Sequence, residues 1–196
     1  MAPSELVKRL REGARRGSAR DEYWLGLCYY DGKEGLIENK WMVEALFRKA
    51  AAQGHAGAQL NLGSMYNFGE GGVEQNLEQA VLWYDAAAKQ GDPTGQYNLG
   101  VMYARGAGVE KNLELAVSWY RESATQGNLH GQYYLGQCLH RGDGVEKDAE
   151  AAVTWFREAA IAGHTSAQSE FARCYALGEG VEQNDALAVE WWAKAV

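Results

Sequence analysis

Glycine recurs in this chain on a fixed beat. Gly17, Gly54, Gly91, Gly127 and Gly163 are separated by 37, 37, 36 and 36 residues. Three further landmarks keep the same register. A Leu-Gly pair returns at Leu25-Gly26, Leu62-Gly63, Leu99-Gly100 and Leu135-Gly136, and becomes Phe171-Ala172 in the last copy. Trp83, Trp119, Trp155 and Trp191 stand 36 apart, and Asn39, Asn76, Asn112, Asp148 and Asn184 follow the same interval. Landmarks that agree on one period of this length mean one supersecondary unit used repeatedly. The units fall at residues 19–54, 55–91, 92–127, 128–163 and 164–196, the last truncated, after a segment 1–18. Together they are expected to form a single domain spanning residues 1–196.

Each unit reads as two helices. Ala58, Leu62, Met65, Tyr66 and Gly69 share one helical face. Asn76 then stands where an N-cap is needed, because its side chain can accept from unpaired backbone N–H groups. Ala80, Trp83, Tyr84, Ala87 and Ala88 form the apolar face of the second helix, and Gly91 closes it. Asp92-Pro93 opens the next unit as cap and first-turn proline. The alanines allow helices to approach, and the tryptophans are expected to fill the gap beside them. A buried tryptophan hides about 150–250 Å², or roughly 4–6 kcal/mol gross. One helix pair cannot cover such a face, so the units must stack.

Composition agrees with helix. Only two prolines occur, Pro3 and Pro93, and strand-like alternation is not sustained anywhere. The net charge is -7, unevenly spread: residues 1–20 hold six basic and two acidic side chains, the rest 13 basic and 24 acidic. An acidic body argues against nucleic acid, where affinity comes mainly from cations on phosphates. No run of 18 apolar residues exists, so no membrane span is expected. The arginine-rich start raises a mitochondrial presequence, which Glu5 and Glu12 weaken. The register supplies another role. Leu6, Leu10 and Ala14 match Val43, Phe47 and Ala51, so residues 1–18 are expected to form a lone capping helix with a polar outer face. At the other end, Val196 falls inside the last helix, three residues short of its glycine. Either more chain follows, or another subunit covers the edge.

The pattern Ala-x-x-x-Leu-Gly-x-x-Tyr-x-x-Gly-x-Gly-Val, followed by Ala-x-x-Trp-x-x-x-Ala-Ala-x-x-Gly, resembles the Sel1-like repeat family. In the third unit it is carried by Leu99, Gly100, Tyr103, Gly106, Gly108, Val109, Ala116, Trp119, Ala124 and Gly127. Gly95 and Ser123 depart from alanine, conservatively in size. The resemblance covers about residues 19–196 and implies an all-α, right-handed α/α solenoid of five repeats, related to tetratricopeptide repeats. It implies a protein–protein interaction scaffold or adaptor rather than an enzyme. A cysteine-rich branch of the family, with a disulfide inside each repeat, includes proteins described as binding or cleaving β-lactams. Cys28, Cys138 and Cys174 depart from that branch: they occupy one slot of three different units, where Met65 and Met102 sit in the others. Stacked at about 8–10 Å, they are beyond disulfide reach. Three reduced core thiols and a cytoplasmic address follow. The motifs of serine β-lactamases are absent.

Other chemistry is not indicated. The glycine loops, such as "GAGVEKN" at Gly106 to Asn112, end a helix at its negative pole and are followed by Glu74, Glu110, Glu146 or Glu182, so they would repel a phosphate. His55 and His164 begin helices. His130 and His140 are ten residues apart on one helix, about 15 Å along its axis, too far for a joint metal site. No cofactor and no metal are expected.

The resemblance carries over a groove from tetratricopeptide relatives. Its stripe varies between units, unlike the core stripe. It runs Tyr23, Leu27, Tyr30, Asp31; Leu60, Ser64, Asn67, Phe68; Tyr97, Val101, Ala104, Arg105; Tyr133, Gln137, His140, Arg141; and Ser169, Arg173, Ala176, Leu177. The candidate binding residues are Tyr30, Asn67, Phe68, Tyr97, Arg105, Tyr133, Gln137, His140, Arg141 and Arg173. Tyrosines supply amphipathic contacts and arginines pair with carboxylates. The partner implied is a protein or peptide, in particular an acidic segment or a free C-terminus. An alternative for the tyrosines is packing between adjacent first helices. A second function is self-association through the C-terminal edge.

Overall fold

The computed structural model describes residues 4–33, 36 and 39–195. Pro3 and Val196, and the expectations attached to them, lie outside that range. The described residues hold eleven α-helices and no strand: α1 (Glu5–Arg15), α2 (Ala19–Tyr30), α3 (Lys40–Ala52), α4 (Ala56–Phe68), α5 (Leu77–Lys89), α6 (Pro93–Arg105), α7 (Leu113–Thr125), α8 (Leu129–Arg141), α9 (Ala149–Ile161), α10 (Thr165–Leu177) and α11 (Asp185–Lys194). The architecture is an all-α solenoid: α1 caps it, and α2 to α11 form five helix pairs. The chain divides into two compact units, Met1–Gly95 and Gln96–Val196. The same packing rules operate inside each.

The helix ends are set by local chemistry. The second helix of each pair starts at a side-chain cap: Asn76 Oδ1 accepts from the Gln79 N–H, Asn112 from Leu115, Asp148 from Ala151 and Asn184 from Leu187. It stops one residue before a glycine. Gly17, Gly54, Gly91, Gly127 and Gly163 have φ between 80° and 94°. A residue with a Cβ resists that conformation, so the 36–37 beat of the sequence is the beat of these left-handed turns.

The Leu-Gly pair has a different cause. On the first helix of four pairs, the glycine is the floor on which an aromatic ring from the second helix lies. A Cβ at Gly26 would come 2.6 Å from Phe47, one at Gly63 2.5 Å from Tyr84, one at Gly100 2.7 Å from Tyr120, and one at Gly136 2.7 Å from Phe156. Those four rings are buried. The ring therefore takes the volume a side chain would have filled. Burial of each is worth about 1.5–3 kcal/mol.

This corrects the role expected for the tryptophans. Trp83, Trp119 and Trp155 are only half-buried, and the fully buried aromatic is the next residue along. One residue turns a helix by about 100°, which points Tyr84, Tyr120 and Phe156 at the glycine and the indole to the side of it. The fifth pair differs at both partners. Ala172 replaces the glycine, and Trp192, in the ring position, is 43% exposed. The small residues expected to admit close approach do so: Ala80, Ala116, Ala152 and Ala188 are buried.

A glutamine ladder joins consecutive repeats within each compact unit. Gln59 donates to the Ala51 carbonyl at 3.1 Å and accepts from Gln90 at 2.6 Å. Gln126 donates to Gln96 at 2.7 Å. At the first rung Glu22 replaces the acceptor amide and receives Gln53 at 2.7 Å, and burial raises its carboxyl above the usual range. At the last rung Ala162 stands in the donor's place. Gln132 still donates to Ala124, at 3.4 Å, but its Oε1 is buried with no partner.

The capping helix α1 buries Val7 and Leu10, but its outer face is not polar throughout, because Leu6 is exposed. The methionine slot also holds as a packing site. Met65, Met102 and Cys174 are buried, while Cys28 and Cys138 are half-buried. Burial pushes the Cys138 and Cys174 thiols up to about 11.

Two substitutions test this packing. Gly136→Ala forces a methyl against the Phe156 ring and is expected to cost about 1–3 kcal/mol in chemical denaturation, whereas Ala172→Gly, which adds no atom to the core, is expected to cost less than that. Ala162→Gln restores the missing donor to Gln132 and is expected to raise stability by about 1 kcal/mol, read as a higher denaturant midpoint at unchanged m-value.

Candidate functional site

The candidate groove residues lie on first helices α2, α4, α6, α8 and α10, in rows set by the helical spacing of the repeat. The structure places them differently in the two compact units.

In the first unit, a cavity of about 220 Å³ opens between α2 and α4. Leu27, Phe47 and Met65 are its apolar lining residues, and Tyr30, Asp31, Asn61, Ser64 and Glu70 its polar ones. Four of these eight, Leu27, Tyr30, Asp31 and Ser64, are stripe positions. Tyr30 is 45% exposed at the rim, and Phe68 stands 64% exposed at the end of α4. The Asn67 carbonyl accepts from Gln75 at 2.8 Å, which ties the end of α4 to the following loop. Asp31 is engaged by Lys33 at 2.6 Å. Beneath the cavity, burial pushes the Tyr84 hydroxyl up to about 12 while Ser64 bonds to it.

In the second unit the tyrosines act as brackets. Tyr97 stacks on His130, with ring centroids 5.2 Å apart, and Tyr133 stacks on His164 at 4.8 Å. The first unit has the same device, Tyr23 on His55 at 4.3 Å. Each joins one first helix to the start of the next, which is the packing role open to these tyrosines. One edge of Tyr133 remains polar, since its hydroxyl accepts from Gln137 at 2.7 Å.

The histidines are locked in one tautomer. His164 is the N-cap of α10, and its Nδ1 accepts from the Ala167 N–H at 3.2 Å. Its Nε2 therefore carries the proton and donates to His130 Nδ1 at 3.1 Å. A metal at that pair would require Nε2 to lose its proton while Nδ1 keeps accepting, which neutral imidazole cannot do. Among the described residues no group of three or more His, Cys, Asp or Glu is placed to hold a metal. Histidine-to-histidine contact was not legible in the sequence, because His130 and His164 belong to different repeats and different positions.

The arginines separate into two kinds. Arg173 is half-buried and held by its own chain: its Nε donates to Glu170 at 2.9 Å, its Nη1 to Glu179 at 2.8 Å, and its Nη2 to His140 Nε2 at 2.9 Å. Accepting on Nε2 puts the proton of His140 on Nδ1, which is buried with no partner. Arg105 and Arg141 are exposed at the ends of α6 and α8, and neither has an ion pair among the described residues. Sequence spacing alone put all three arginines in one class; the loop glutamate Glu179, brought back over α10, distinguishes them.

The glycine loops are turns, as expected. Gly69, Gly142 and Gly178 cap their helices in the left-handed conformation. No helix is long and apolar enough to cross a membrane.

A model of the Sel1 repeat matches residues 19–55, 56–92, 93–128, 129–164 and 165–196. The crystal structure of a protective antigen present in uropathogenic Escherichia coli strains, displaying an SLR fold, is 38% identical with a TM-score of 0.92. The match covers 96% of this chain and 40% of that one, so this chain spans well under half the antigen's length. A Sel1 repeat protein from Oxalobacter formigenes is 31% identical with a TM-score of 0.84, over 97% of this chain and 75% of that one. An immunity protein from Pseudomonas aeruginosa, 19% identical with a TM-score of 0.57 over 96% of this chain and 72% of that one, is a likeness of fold. No curated protein matches the chain.

The locked histidines set a pH dependence. Burial holds His55 below the usual imidazole range; burial and then neighbouring His130 hold His164 below it. The unfolded chain then binds more protons. Stability is full above about pH 6.5 and falls as pH drops through that value, levelling off below the folded-state values. Urea midpoints measured between about pH 7.5 and 5 check this. His164→Asn, which keeps a cap, is expected to flatten the slope.

Proposed function

The chain belongs to the Sel1 repeat family, whose members are typically protein-interaction scaffolds, and on that premise we propose that it is a non-enzymatic adaptor holding a peptide segment on its first helices. The observation that carries this reading is the cavity between α2 and α4. It coincides with stripe residues Leu27, Tyr30, Asp31 and Ser64, and its lining includes both apolar and polar side chains. Such a pocket takes one apolar or aromatic side chain and bonds the backbone beside it. Exposed Tyr30 and Phe68 flank that entry.

In the second compact unit the partner chemistry is anionic. Arg105 and Arg141, exposed and without ion pairs among the described residues, suit a carboxylate. Gln137 and Tyr133 offer polar edges nearby in the register, whereas Arg173 contributes through the ion pairs that fix its neighbours and His140, held by Arg173 through Nε2, offers none. An acidic segment or a free C-terminus fits this chemistry. The cysteines, in a slot shared with methionine, suit a reducing compartment such as the cytoplasm.

A second reading is self-association through α11, favoured by the exposure of Val189 and Trp192. Sedimentation of the isolated chain checks it, and a strictly monomeric chain at high concentration removes it.

The peptide reading is tested with an immobilised peptide library and the full chain. Acidic peptides are expected to be selected. Arg105→Glu with Arg141→Glu is expected to weaken them about tenfold or more, and Tyr30→Ala to cost about 1–2 kcal/mol for those with an apolar anchor. Selection unchanged by both variants would sink the groove.

A further inference from the structure

Among the described residues no first helix precedes α1, although α1 keeps the register of a second helix. The third repeat shows what normally occupies that place. Tyr120, the register mate of Leu10, lies on Gly100 of α6. Tyr134, the register mate of Trp24, packs on Tyr97 of α6 at 5.5 Å and on Tyr120 at 5.4 Å between ring centroids. A first helix thus covers both positions. At α1 and α2 the same place is an open cavity of about 590 Å³.

The cavity has the character of a helix seat. Leu10 forms its floor, and Leu6 and Trp24, 42% and 49% exposed, form its walls. Leu10 is shorter than the phenylalanine or tyrosine of the other repeats, so an incoming helix needs only a small residue at the crossing, not glycine. The rim carries Arg9, Arg16 and Arg20 against Glu12 and Asp21. Arg16 leans on Glu12 at 3.9 Å. Arg9 and Arg20 have no ion pair among the described residues, and the surplus at the rim is positive, on a chain whose net charge is -7. An acidic partner meets complementary charge here and repulsion over the rest of the body.

We propose that this seat between α1 and α2 takes an acidic amphipathic helix of a protein partner, laid where a preceding first helix would lie. The apolar stripe of that helix covers Leu6, Leu10 and Trp24, and its flanking carboxylates meet Arg9 and Arg20. Recognition is of the helix-in-groove kind, with anchors three and four residues apart. The seat is separate from the cavity between α2 and α4 and does not depend on it.

The test is fluorescence anisotropy with the full chain and two labelled peptides of about 18 residues, long enough to be helical. One has an alanine-leucine stripe flanked by glutamates; its twin carries lysine for every glutamate. The glutamate peptide is expected to bind saturably and the lysine twin not to bind. Measured in the Arg105→Glu, Arg141→Glu background, so that those arginines do not hold the probe, Trp24→Ala, and separately Arg9→Glu with Arg20→Glu, are each expected to weaken binding about tenfold or more. The arginine changes are at exposed positions, so they keep the test valid if Trp24→Ala disturbs the fold. No saturable binding of the glutamate peptide, equal binding of the twin, or binding that survives the Arg9 and Arg20 reversals would each overturn the proposal. Sedimentation showing a dimer that Trp24→Ala dissolves would also overturn it, by giving the seat to a second copy.

Discussion

An aromatic ring lying on a bare glycine is the contact from which the rest of the repeat follows. Phe47 on Gly26, Tyr84 on Gly63, Tyr120 on Gly100 and Phe156 on Gly136 bring the two helices of a pair close enough for buried alanines to meet. That closeness fixes which faces remain outside. The first helix, pinned by its glycine, must turn its other face outward, and the variable residues are on that face. The absence of one side chain thus decides which side of the helix packs against its partner.

Much of the fold was legible because repetition multiplies weak signals. A single asparagine before an apolar run is a modest indication of a cap, but four of them and an aspartate in register, all accepting from a backbone N–H three residues on, leave little alternative. The turn glycines were equally readable. Two things escaped. The tryptophans looked like core because they are the largest apolar landmarks, yet the ring over the glycine belongs to the next residue along, Tyr84, Tyr120 or Phe156. The glutamine ladder was visible as Gln90 paired with Gln59 and Gln126 with Gln96, about thirty residues apart, but polar residues with no obvious chemistry draw little notice.

The candidate site was less legible, for a physical reason. Stripe membership follows from helical spacing, and spacing says where a side chain leaves the backbone but not what meets it. Arg105, Arg141 and Arg173 share a stripe, yet Arg173 is neutralised by Glu170 and Glu179. Tyr97 and Tyr133 share a column, and histidines from the next helix cover part of each ring. These differences come from residues in other repeats and in loops, where one-dimensional distance carries no information. The cavity between α2 and α4, by contrast, arises from small Ser64 and Asn61 facing larger neighbours, a difference of volume that could be sought in a sequence.

The fifth repeat departs from the pattern at the ring contact. Ala172 and Trp192 replace the glycine and its ring, and Trp192 is 43% exposed. In a linear array each element is secured only by the one beside it. The hairpin of α10 and α11 is therefore the place where local opening requires least free energy, and its amides should exchange hydrogen before those of α7 to α9.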